Sequence, residues 1–206
     1  MANPVLNRLA SLVLLSGALI LTAPAVATPE VGKPAPDFTA TDSNGKTVKL
    51  SDQRGKIVVL EWTNHDCPFV KKHYGSGNMQ ALQKEAGQQG IVWWSVISSA
   101  PGKQGHVSPQ EANELTRSRK AAPSAVLLDP QGAIGQLYGA RTTPHMYIID
   151  PQGKLVYMGA IDDKPSTSPA DVATANNYVR TGLKAVQQGQ SVQPAVTQPY
   201  GCSVKY

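Results

Sequence analysis

The stretch that decides the fold is Ile57–Tyr74, IVVLEWTNHDCPFVKKHY. Ile57 to Trp62 is a near-continuous apolar run, the pattern of a strand buried on both faces. A loop, Thr63 to Asp66, carries the chain to Cys67-Pro68, and a helical pattern follows. Proline is favoured at the first helical position, where its missing N–H costs nothing. With Pro68 there, Cys67 is the N-cap, and its sulfur faces the free backbone amides of Phe69 and Val70 at the positive end of the helix. Both influences stabilise a thiolate and lower its pKa below the ordinary value of about 8.5. Lys71 and Lys72 are expected to help, and Asp66 and Glu61 to oppose them. The alternative is a buried, inert thiol, but such a thiol has no reason to sit on a loop-to-helix elbow.

Working outward, VGKPAPDF (31–38) reads as extended, because Pro34 and Pro36 bias the residues before them away from helix. The turn Asp42–Gly45 and the alternating Lys46–Leu50 predict an opening hairpin. Beyond Tyr74 the helical pattern is interrupted near Gly75 and Gly77 and resumes from Asn78 to Ala86. Ile91–Ile97 is a second buried strand, and Ser99–Ser108 a loop. Ser108-Pro109-Gln110-Glu111 combines an N-cap, a first-turn proline and an acid, so a helix is expected to about Lys120. Ala125–Leu128 is a strand and Ala133–Tyr138 a short helix. Met146–Ile149 and Lys154–Met158 form a hairpin across Asp150-Pro151-Gln152-Gly153. A last amphipathic helix is expected over Pro169–Gln188, and an irregular tail over Ser191–Tyr206. This order predicts an α/β fold whose mixed sheet is parallel in its first part and antiparallel at one edge.

Arg8, the apolar run Leu9–Leu21 and the small residues of Ala25-Val26-Ala27 have the pattern of a secretory signal peptide over residues 1–27, cleaved after Ala27. The apolar run is short of the roughly 20 residues of a membrane span, though a retained N-terminal anchor is the alternative. The expected organisation is therefore a signal peptide, one domain over residues 28–190 and a tail over 191–206. The expected location is periplasmic or secreted, with no membrane segment after cleavage. The formal charge is +5. Its short basic cluster, Arg117, Arg119 and Lys120, lies beside Glu111 and Glu114 and reads as a solvated helix face. Nucleic-acid binding calls for a basic stripe with aromatic partners, which is absent. The two cysteines, Cys67 and Cys202, could form a structural disulfide in an oxidising compartment, the reading any catalytic claim must beat.

Three segments then carry a family resemblance. VVLEWTNHDCPFVKKHY (58–74) resembles the active-site elbow of the thioredoxin superfamily, in the redoxin branch that groups bacterial thiol-disulfide proteins with alkyl hydroperoxide reductases and thiol-specific antioxidants (AhpC/TSA). VGKPAPDFTATDSNGKTVKLSDQRGK (31–56) is similar to the opening segment of that branch, and RTTPHMYIID (141–150) resembles its cis-proline loop and following strand. The likeness spans Val31 to Ile161. It implies a thioredoxin-like three-layer sandwich with an N-terminal hairpin extension, and an exported thiol oxidoreductase with no organic or metal cofactor. It also implies a protein disulfide or a peroxide as substrate, and an external thiol as electron donor. Residue by residue, it implies Cys67 as nucleophile, Pro144 as a cis-proline against the sulfur and Thr143 as the residue whose backbone pairs with substrate. Thr63, Asp66, Pro68, Phe69 and Val70 form the expected surroundings of the thiolate.

The sequence also departs from the resemblance. Val70 stands where thioredoxin-type sites carry a second cysteine. Asn64 stands where peroxiredoxins carry Thr or Ser, with Thr63 one residue away. The loop keeps Pro144 where peroxiredoxins commonly carry an activating arginine, and Arg141 is displaced from it. Cys202 is then the intrachain candidate for a resolving cysteine, with a permanent Cys67–Cys202 disulfide and an unpaired or intermolecular thiol as open alternatives. His65, His73 and His145 could approach Cys67, which keeps a copper-binding chaperone as a minor reading. A non-catalytic binding protein of the same fold is the main rival. Trp93 and Trp94 are expected to pack in the core or at an edge, and Asp162 and Asp163 to cap a turn.

Overall fold

The computed structural model describes Met1 and residues 29–206. The expected signal peptide therefore lies, Met1 apart, outside the described residues. Among the described residues no helix is long and apolar enough to cross a membrane. The chain opens with a hairpin of β1 (Thr39–Thr41) and β2 (Thr47–Lys49). Then come β3 (Val58–Trp62), α1 (Pro68–Gly75), α2 (Asn78–Gln88), β4 (Val92–Ile97), α3 (Pro109–Ser118), β5 (Ala125–Leu128) and α4 (Ala133–Leu137). The last elements are β6 (Thr142–Thr143), β7 (His145–Ile149), β8 (Leu155–Gly159), α5 (Tyr178–Gln187) and β9 (Cys202–Ser203). Five strands form one sheet in the order β5-β4-β3-β7-β8. The first three are parallel, while β7 and β8 are antiparallel to their neighbours.

Every residue of β3 is buried, as its apolar run requires. Alternation divides that burial between two faces. Val58, Leu60 and Trp62 meet Phe38, Trp94, Tyr138 and Tyr147 on one side, where Trp62 lies 5.1 Å from the Tyr147 ring in an edge contact. Val59, with Trp93, Met146 and Ile148, packs beneath Val70, Met79, Leu82, Val179 and Leu183 of α1, α2 and α5. Both tryptophans expected to pack are thus core residues, one on each face. Gly77, at φ +77°, turns the chain between α1 and α2 through the left-handed region, which glycine enters without steric cost. Ser108 caps α3 through a full capping box with Glu111.

Two elements differ from expectation. The last helix begins at Tyr178, not Pro169, because Asn177 is its N-cap and accepts from the Arg180 amide at 2.9 Å. Residues Pro169–Thr174 form a separate 3-10 turn. The tail, in turn, follows the edge of the sheet. In β8 the Met158 amide donates to the Ala195 carbonyl and the Met158 carbonyl accepts from the Thr197 amide; β9 then pairs antiparallel with β6, Thr142 opposite Ser203 and Thr143 opposite Cys202.

Glu61 is a fully buried carboxylate in the middle strand. It accepts from Tyr74 Oη at 2.8 Å, Trp93 Nε1 at 2.8 Å, Ser95 Oγ at 2.9 Å and Gln83 Nε2 at 3.1 Å. Burial pushes its pKa up, partly offset by those four donors. Glu61→Ala would strand four buried donors, and is expected to cost roughly 2–4 kcal/mol in chemical denaturation. Glu61→Gln keeps an acceptor for three of them and is expected to lose less than half as much. Equal losses for the two variants would show that shape rather than hydrogen bonding matters there.

Candidate active site

Cys67 is the N-cap of α1, with φ −67° and ψ 124°, and Pro68 follows at the first helical position. Its side chain is completely buried. The Sγ donates to the Thr143 carbonyl at 3.0 Å. The Thr143–Pro144 peptide bond is cis. The register that sets Cys202 opposite Thr143 also brings the second thiol to the first, and both cysteines are free thiols. Local sequence places Cys67, therefore, but the β6–β9 ladder completes its surroundings.

The two thiols are electrostatically unlike. Burial pushes the Cys67 pKa up, but hydrogen bonds from the Cys202 thiol, the Val70 and Cys202 backbone amides and the Thr143 side chain outweigh it, so the net shift is downward. Cys202 is pushed up to about 11 by burial, by its hydrogen bond to Cys67 and by the charge on Cys67. Of the two thiols Cys67 is therefore the one that gives up its proton more readily, and Cys202 the one that holds it.

The remaining expected residues divide. The amide that reaches the sulfur belongs to Val70, whereas the Phe69 ring turns to Tyr200, with centroids 5.8 Å apart. Thr63 is buried, but its hydroxyl faces a cavity of about 30 Å³ lined by Tyr74, Ser95 and α3, and has no hydrogen-bond partner. Asp66 faces solvent between His65 and Lys71, at 3.3 and 3.6 Å. Neither Thr63 nor Asp66 is among the groups bonded to the Cys67 sulfur. Lys72, expected to assist the thiolate, is buried elsewhere. Its Nζ donates to the Lys164 carbonyl at 2.7 Å and lies 3.6 Å from Asp162. Glu61 is likewise engaged by its own four donors.

The histidines do not converge. His65 pairs with Asp66. His145 stacks on Tyr147 and is held neutral, its pKa pushed down to about 3 by burial and Arg141. His73 lies in a buried cluster with Asp162, Lys72 and Tyr200. Among the described residues no group of three metal-ligating side chains comes together.

That cluster is the part of the site that sequence reading missed. Asp162 does cap a turn, accepting from the Lys164 amide at 3.0 Å, but it is also fully buried and accepts from the Tyr200 hydroxyl. Asn78 Nδ2 donates to His73 Nδ1 at 3.0 Å, so the remaining ring proton is on Nε2, 3.2 Å from Tyr200 Oη. Burial brings the His73 pKa down to about 4 and keeps the ring neutral. Tyr200, two residues before Cys202, is thereby fixed by groups from α1 and from the segment after β8, with Asn78 of α2 orienting His73. The two tyrosines of the tail were the available signal, but their partners lie in distant segments.

The AhpC/TSA family model matches residues 31–158. The chain belongs to the AhpC/TSA family. Among curated proteins it is 29% identical to the thiol-disulfide oxidoreductase ResA of Bacillus thuringiensis subsp. konkukian, over 62% of this chain and 68% of that one. It is 30% identical to a thioredoxin peroxidase of Echinococcus granulosus, over 69% of this chain and 77% of that one. With peroxiredoxin-2 of Cricetulus griseus the match spans 22% of the relative's length. A crystal structure of an uncharacterised conserved protein from Geobacillus kaustophilus superimposes with a TM-score of 0.72 at 26% identity, covering 86% of this chain and 92% of that one. The fold of this AhpC/TSA chain is thioredoxin-like, with a mixed five-strand sheet between helices.

Thiol alkylation against pH tests the asymmetry of the pair. In the reduced protein one thiol should titrate below the ordinary thiol value and vanish in Cys67→Ser, and the other should titrate near 11. Cys202→Ala, which removes a hydrogen-bond donor, should move the Cys67 midpoint upward. Two thiols titrating together at the ordinary value would contradict the assignment.

Proposed function

We propose that this chain is an exported thiol-dependent oxidoreductase in which Cys67 attacks and Cys202 resolves. The observation that carries the reading is the β6–β9 register, which sets Cys202 opposite Thr143, the residue whose carbonyl accepts from Cys67, and so brings an acidified thiol together with one that holds its proton. The proposal of export rests on the Arg8–Ala27 pattern alone.

The Cys67 thiolate attacks one sulfur of a substrate disulfide. A new S–S bond forms, the substrate bond breaks, and one substrate thiolate leaves. With a peroxide, the same thiolate attacks the terminal oxygen, the O–O bond breaks, a sulfenic acid forms on Cys67, and the departing oxygen takes up a proton and leaves as water or alcohol. In either case the charge on Cys67 is gone, and with it one of the influences that held the Cys202 pKa up. Cys202 then gives up its proton, attacks Cys67 and expels the second substrate thiol or water. Two electrons have passed from the cysteine pair to the substrate. Two thiol groups of an external donor restore the pair, themselves becoming a disulfide. Pro144 and Thr143 form the wall against which the sulfur works, and Val70 supplies an amide to it. The similarity to a ResA and to a thioredoxin peroxidase supports both substrate types.

Peptide mapping after one equivalent of oxidant is the test. The wild-type protein should link the Cys67 peptide to the Cys202 peptide, and dithiothreitol should reverse the link under native conditions. Cys67→Ser should consume no oxidant. Cys202→Ser should trap the mixed disulfide or sulfenic acid and lose turnover on the order of a hundredfold, since an intramolecular thiol at millimolar effective concentration is replaced by a dilute external one. A Cys67–Cys202 bond that resists native reduction would favour the rival, a non-catalytic protein with a locked disulfide.

A further inference from the structure

The hydrogen-bonding edge beside the reactive sulfur is filled by the chain itself. Thr143, whose carbonyl accepts from Cys67, is paired with Cys202, and Thr142 with Ser203. One step further, the Val204 amide donates to the Arg141 carbonyl at 3.0 Å. A polypeptide presenting a disulfide to Cys67 would add as a strand along β6, drawing its affinity from main-chain hydrogen bonds. Among the described residues that edge carries β9.

Three features seat β9 there. Gly201 has φ +141°, and a Cβ at that position would stand 2.1 Å from the Thr143 carbonyl oxygen, so a larger residue cannot make the approach. Tyr200 anchors the strand through Asp162 and His73, with its ring 5.5 Å from Lys72 Nζ and packed on Phe69. At the far end, the Tyr206 hydroxyl donates to the Ala140 carbonyl at 2.6 Å. The strand is thus pinned on both sides of Cys202.

Resting on the reading of Cys67 as the attacking thiol, we propose that β9 is the specificity element of this site, an in-built occupant of the peptide slot that Gly201 seats and Tyr200 latches. Polypeptide disulfides must displace it and compete with the chain's own strand. A hydroperoxide needs no strand pairing, so small fluctuations around the sulfur admit it. Its reaction balances at the sulfur: an S–O bond forms as the O–O bond breaks, Cys67 is oxidised to the sulfenic acid, and the departing oxygen takes a proton and leaves as water or alcohol.

Single-turnover kinetics in a Cys202→Ser background isolate the attack, read by mass as loss of the free Cys67 thiol. The oxidants are hydrogen peroxide and a cystine-linked peptide. Adding Gly201→Ala should speed the reaction with the peptide disulfide about tenfold or more, as expected if the slot is open less than about a tenth of the time. The same change should alter the reaction with hydrogen peroxide by less than about threefold once each rate is referred to the thiolate fraction of Cys67, because unseating β9 also withdraws the Cys202 amide from the sulfur. Tyr200→Phe, which keeps the ring and removes the latch, should act in the same direction with a smaller effect, and it covers the case in which Gly201→Ala disturbs folding. A peptide rate unmoved by both variants while peroxide still consumes Cys67 would overturn the role of β9 alone. An equal acceleration of both oxidants would also overturn it, since β9 would then be a cover without selectivity. If Cys67 consumes neither oxidant in any variant, the reading of Cys67 as nucleophile falls, and this proposal with it.

Discussion

Two residues of one short ladder, Thr143 and Cys202, lie opposite each other, and the chemistry of the thiol depends on that register. A helix N-terminus alone would give Cys67 one amide, from Val70. The ladder adds the thiol and amide of Cys202 and fixes Thr143 against the sulfur. Strand pairing has a period of two, so a slip of one residue would turn the Cys202 side chain to the other face of the ribbon. The rest of the tail can be understood as holding that register. Its backbone follows the edge of β8, Tyr200 is anchored in one buried cluster, and Tyr206 reaches the opposite side.

Two of the buried carboxylates among the described residues, Glu61 and Asp162, serve different ends. Burying a charge is costly unless it is paired or hydrogen-bonded. Glu61 receives four donors from α1, α2 and β4, so it knits β3 and β4 to α1 and α2. Asp162 meets Lys72, the Lys164 amide and the tail tyrosine. Its second oxygen has no hydrogen-bond partner and lies 3.6 Å from the Lys72 ammonium. The hydroxyl of Tyr200 is therefore part of what makes that buried carboxylate tolerable. The last residues of the chain and the packing of α1 are held together by the same group.

How much of this was legible in the sequence follows from how local each cause is. The buried strand, the proline-capped elbow at Cys67, the glycine break after Tyr74 and the capping box at Ser108 each arise within a few residues, and the structure has them where the pattern predicts. The start of the last helix was misplaced because Pro169 and Asn177 both carry start signals, and the stretch between them closes into a separate 3-10 turn. The short distance of Lys72 from Cys67 along the chain suggests a helper of the thiolate. On the helix it points away from the sulfur, and its partners, Lys164 and Asp162, come from a loop some ninety residues later. The cluster around Tyr200 was illegible for the same reason. Its members are drawn from four separate segments, and no single segment carries the pattern.

The most direct measurement of whether the tail completes this site is amide hydrogen exchange of the reduced protein at native pH. If β9 is seated as described, the Val204 amide, which donates to Arg141, should be protected well above the amides of exposed Thr167 and Ser191, which have no backbone partner, and Tyr200→Phe should lower that protection. Exchange of Val204 at the rate of an unstructured chain end would contradict the account, because Cys202 would then have no fixed place beside Cys67.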